Sequence, residues 1–76
     1  INIRIMKVAL FMILCSSVAG NCLEPIKINS YNTFYDCMSA GYLESYNKNT
    51  EIGPDDVNNF RMYIKFICAN EEGEQI

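Results

Sequence analysis

With 76 residues the chain has room for one small domain and no second core. Nine acidic against six basic residues leave a net charge of −3, and there is neither His nor Trp. Beyond residue 20 the only cations are Lys27, Lys48, Arg61 and Lys65, too scattered for the basic surface that nucleic acid demands.

Residues 1–20 read as a signal peptide. Arg4 and Lys7 make a positive start, and Val8-Ala9-Leu10-Phe11-Met12-Ile13-Leu14-Cys15 is an unbroken apolar run. Ser16-Ser17-Val18-Ala19-Gly20 then offers small residues to a peptidase. Met6, before Lys7, reads as the natural start. The competing reading is an uncleaved anchor, a hydrophobic helix kept in the membrane. Val8 to Gly20 falls short of the roughly 20 residues that cross a bilayer. A lipoprotein is disfavoured, because Leu14 and Asn21 precede Cys15 and Cys22 where a small residue is wanted. Cleavage near residue 20 would leave a chain of 21–76 with four basic and nine acidic residues, a net charge of −5. No Asn-x-Ser/Thr acceptor for glycosylation occurs.

Asn21 to Ser30, with Pro25 and no period, reads as an extended lead-in. Ser30 or Asn32 is placed to cap a helix, its side-chain oxygen accepting from the free N–H groups of the first turn. Phe34, Cys37, Met38, Gly41, Tyr42 and Ser45 then follow the spacing of one helix face, which predicts a helix over 31–52. Ala40 and Gly41 form a flat patch for close approach. Gly41 weakens an isolated helix by about 1 kcal/mol relative to Ala, so packing has to offset it.

Glu51-Ile52-Gly53-Pro54-Asp55-Asp56 holds a stop and a start together. Gly53 suits the position after a helix end, Pro54 the first position of the next, and two carboxylates its positive end. Val57, Phe60, Ile64, Ile67 and Cys68 give a stripe that predicts a second helix over 54–69. Phe60, Met62, Ile64, Phe66 and Cys68 also alternate strictly, which is a strand signal. The helix is preferred, because Gly-Pro-Asp-Asp is helix punctuation and no partner strand is evident. Residues 70–76 read as a frayed acidic tail.

So small a core supplies only about 3–5 kcal/mol, and one disulfide adds about 2–4 kcal/mol. If two antiparallel helices meet near Glu51 and Pro54, facing residues have numbers summing to about 105, as those of Cys37 and Cys68 do. Cys37–Cys68 is therefore the favoured bridge, with Cys22 to either as the alternative. Cys22 is left as a free or intermolecular thiol. Neither the close Cys pairs of a zinc site nor a Cys-x-x-Cys redox motif is present.

Tyr35, Tyr42 and Tyr46 could line one side of the first helix, and with Tyr63 they form a candidate interaction surface, although core filling competes. Asp55-Asp56, near Glu51, lacks calcium-loop spacing and reads as helix capping. Without His or a paired acid and base, no catalytic residue, metal or cofactor is expected.

The pattern Cys22…Tyr35-Asp36-Cys37…Ala40-Gly41-Tyr42…Gly53…Val57-Asn58…Tyr63-Ile64…Phe66…Cys68 resembles uncharacterised small signal-peptide-bearing exported proteins of marine phage and bacterial sequence collections. The resemblance implies a bacterial envelope setting, with a phage origin in view, and no chemistry. The combined expectation is an all-α protein: a disulfide-stapled two-helix hairpin (21–76, with an acidic C-terminal tail) behind an N-terminal signal or hydrophobic helix (1–20). Its expected role is that of a secreted or periplasmic non-enzymatic interaction protein, with a protein partner or a second copy. The alternative is a membrane-anchored protein acting on the host envelope through residues 6–20, and a thiol-redox role through Cys22 stands third.

Overall fold

A computed structural model of the chain describes residues 7–71. Arg4, Met6 and most of the acidic tail lie outside the described residues. The elements run β1 (Lys7–Ser16), β2 (Asn21–Cys22), β3 (Ile26–Tyr31), α1 (Phe34–Ile52), α2 (Pro54–Phe60) and β4 (Met62–Glu71). The chain is thus mixed α/β, a four-stranded antiparallel sheet with two helices, and not an all-α hairpin.

β1 is the centre of the sheet, because every strand pairing passes through it. On one edge it pairs with β4 along its whole length, from Lys7–Glu71 to Ser16–Met62. On the other edge the chain turns through Ser17–Gly20 and returns as β2 and β3. Gly20 takes φ +78° there, a left-handed conformation that glycine adopts without penalty. Partner numbers sum to 37 at Cys15–Cys22, 38 at Phe11–Lys27 and 39 at Val8–Tyr31. The return strand therefore slips by one residue twice, once at the bulge beside Leu10 and Phe11 and once in the stretch that holds Pro25.

Three expectations are corrected here. The apolar run 8–15 is not a helix but a strand, apolar on both faces because α1 covers one and neighbouring strands flank it. The expected second helix over 54–69 stops at Phe60; Arg61 takes a left-handed turn (φ 52°) and the rest is β4. The strict alternation from Met62 to Cys68 wins because its missing partner strand is β1, hidden in the segment read as a signal peptide. The lead-in 21–30 is largely the return strand, β2 and β3, paired to β1.

α1 crosses the sheet chiefly over β1 and β4. Thr33 caps it, with its Oγ1 accepting from the Asp36 N–H at 3.0 Å, in place of Ser30 or Asn32. The core lies beneath its first half: Val8, Leu10 and Cys37 are buried, with Tyr31, Ala40, Phe66 and Cys68 packed around them. A Cβ at Gly41 would stand 2.3 Å from the Phe66 ring, so glycine there lets the helix lie down on β4. Burying Leu10, which is wholly inaccessible, contributes about 1.5–3 kcal/mol.

Two disulfides close the structure. Cys37–Cys68 (Cα atoms 6.1 Å apart) joins α1 to β4, a helix to a strand rather than a helix to a helix. Cys22 is no free thiol: it is bonded to Cys15, directly opposite across the β1–β2 hairpin. The residue expected to be lost with a signal peptide is the one that binds it.

Candidate functional site

The inward positions of α1 change character along its length. Its first half presents Cys37 and Gly41, which press onto the sheet; at about 100° per residue, its second half presents Ser45, Lys48 and Ile52. The Ser45 hydroxyl is buried, and beyond it Lys48, Glu51 and Ile52 run along an apolar sheet surface that they do not fill. A cleft of about 420 Å³ results, lined by Met12, Leu14, Ile26, Ile28, Ile52 and Ile64.

The rim is charged. Lys48 and Glu51 form an ion pair at 3.1 Å on α1, and Glu24 stands across from them on the segment between β2 and β3. The floor comes from β1, β3 and β4 together, so it is rigid sheet rather than loop. Such a cleft, apolar within and polar at the mouth, has the volume and character of sites that take a hydrophobic group. Its side chains assemble no nucleophile beside a base. The Ser45 Oγ is buried nearby and has no hydrogen-bond partner among the described residues.

On the opposite sheet face Glu71 reaches across β1, above the small side chain of Ala9, to the Lys27 ammonium and the Ser30 hydroxyl (2.8 Å). The Lys27 hydrogen bond first, and the Ser30 one second, hold the Glu71 carboxyl below its ordinary range. This cluster ties both outer strands together over the central one.

The predicted interaction residues divide into two groups. Tyr35, Tyr42 and Tyr46 share one flank of α1 and are all exposed, with the Tyr42 ring edge-on to Phe66 at 4.9 Å. Tyr63 lies apart from them, on the opposite sheet face, across from Cys15. Asp55 and Asp56 sit in the first turn of α2. Among the described residues no cluster of three His, Cys, Asp or Glu stands close enough to hold a metal ion. Sequence reasoning missed the cleft residues Ile26 and Ile28, whose alternation around Lys27 was the available strand signal.

No family model matches the chain, and no curated protein or solved structure is similar to it. Two disulfides mark an oxidising, extracellular setting. No helix among the described residues is long and apolar enough to cross a membrane.

Proposed function

We propose that the protein is a small exported binding module, non-enzymatic, which uses the cleft beneath the second half of α1 to take an apolar group from a partner protein of the bacterial envelope or secreted space. The observation that carries this reading is the cleft itself: an apolar floor left open beside α1, which lines it with Lys48, Glu51 and Ile52. The resemblance to exported phage and bacterial proteins fits the setting, and the paired cysteines fit the compartment. Residues 7–16 stay in the working protein in this reading, since the sheet has no centre without them. Anchoring through residues 6–20 is not carried forward, because Lys7–Ser16 of that run forms the strand through which the sheet is paired.

The test uses the full chain, recovered from the extracytoplasmic fraction and titrated with the apolar dye anilinonaphthalene sulfonate. One bound dye per chain, lost in Ile26→Glu with the fold and both disulfides intact, is the expected outcome. A dye signal unchanged by Ile26→Glu, or a chain found only in the cytoplasm with reduced cysteines, would contradict the proposal.

A further inference from the structure

β4 is a ten-residue strand paired on one edge only among the described residues. Its hydrogen-bonding phase follows from a neighbouring contact. The Ser17 N–H donates to the Arg61 carbonyl at 3.0 Å, which continues the β1–β4 register. The odd-numbered residues of β4 therefore bond to β1, and Met62, Ile64, Phe66, Cys68 and Asn70 turn their N–H and C=O groups outward. Edge strands of this length are commonly shielded by charge or bulges. This one runs through without a break.

The flank of α1 above that edge is the aromatic one. Ala40, one position before Gly41, packs against the buried cluster. Tyr42 lies on the opposite side of Gly41 and touches Phe66. Tyr35, Tyr42 and Tyr46 fall within about 40° of one another around the helix. An open strand edge and an exposed tyrosine stripe thus border the same side of the molecule, away from the cleft.

We propose that this side joins a second copy of the chain, with β4 pairing antiparallel to β4 about a two-fold axis at Phe66. Two features single out a copy of the same chain. Centring on Phe66 overlaps the strand from Met62 to Asn70 and sets outward-facing residues opposite outward-facing residues in a self-complementary ladder. It also gathers the two Tyr42–Phe66 pairs at the axis, where interface energy concentrates. Strands pair about 4.8 Å apart, so two helices lying over the β1–β4 seams would come within the 8–10 Å or so at which helices pack. The tyrosine stripes would be covered between them.

The register sets Lys65 opposite Ile67 of the second copy, and both side chains are exposed on the helix-free sheet face. Sedimentation of the full, oxidised chain across micromolar concentrations should show a dimer. Ile67→Lys puts lysine opposite lysine twice and should weaken the dimer about tenfold or more. The exchange Lys65→Ile with Ile67→Lys restores the original pairing and should restore the dimer. Tyr46→Glu should weaken it without changing the disulfides or circular dichroism. A chain that stays monomeric, a dimer indifferent to Ile67→Lys and Tyr46→Glu, or an exchange variant that fails to dimerise although folded would overturn the proposal.

Discussion

At Gly41 a single missing atom decides how α1 meets the sheet. The Phe66 ring occupies the space where a Cβ would go, with three ring carbons within 2.8 Å of that point. Gly41→Ala improves intrinsic helix propensity by about 1 kcal/mol. It must nevertheless lift α1 or turn Phe66, and overpacking of this kind costs about 1–3 kcal/mol. Chemical denaturation of Gly41→Ala should therefore show a net loss of stability, and a gain would mean that the ring moves freely. Helix spacing placed Gly41 on the buried face, and the flat patch was legible in the sequence. That the opposing surface is an aromatic ring on a strand was not, because the contact spans residues far apart in the chain.

At the scale of elements, the first helix and its stop were legible, since the spacing from Phe34 to Ser45 and the Gly53-Pro54 junction are local signals. The sheet was not. Val8, Leu10, Met12 and Leu14 face α1, while Ala9, Phe11, Ile13 and Cys15 face the other way, so β1 is apolar on both sides and shows no period of two. An unbroken apolar run behind two cations has the composition of an export signal as much as of a buried strand. Once β1 was set aside as a leader, the alternation in β4 had no partner and Cys22 had no mate. The two disulfides differ in the loops they close, with sequence separations of 31 for Cys37–Cys68 and 7 for Cys15–Cys22. Chain entropy assigns about 3.7 kcal/mol to the longer loop and about 2.5 kcal/mol to the shorter. Cys37→Ser and Cys68→Ser should each destabilise the protein by about 1 kcal/mol more than Cys22→Ser. Equal losses in urea melts would show that the hairpin bond closes more than its own turn.

At the scale of the molecule, β1 supplies five of the six buried apolar residues among the described ones: Val8, Ala9, Leu10, Met12 and Cys15, with Cys37 as the sixth. Both sheet edges hang on it, one disulfide begins in it, and α1 rests across it. A hairpin of residues 21–76 would have to stand without that core, whereas the sheet uses residues 7–16 as its most protected part. Native-state hydrogen exchange, resolved by residue, separates the two most directly. The expected result is that amides of Phe11, Ile13 and Cys15 in β1, with Lys65 and Ile67 in β4, exchange slowest and only through global unfolding. Free exchange along residues 7–16, with slow exchange confined to residues 34–69, would contradict the central strand and restore the helical hairpin.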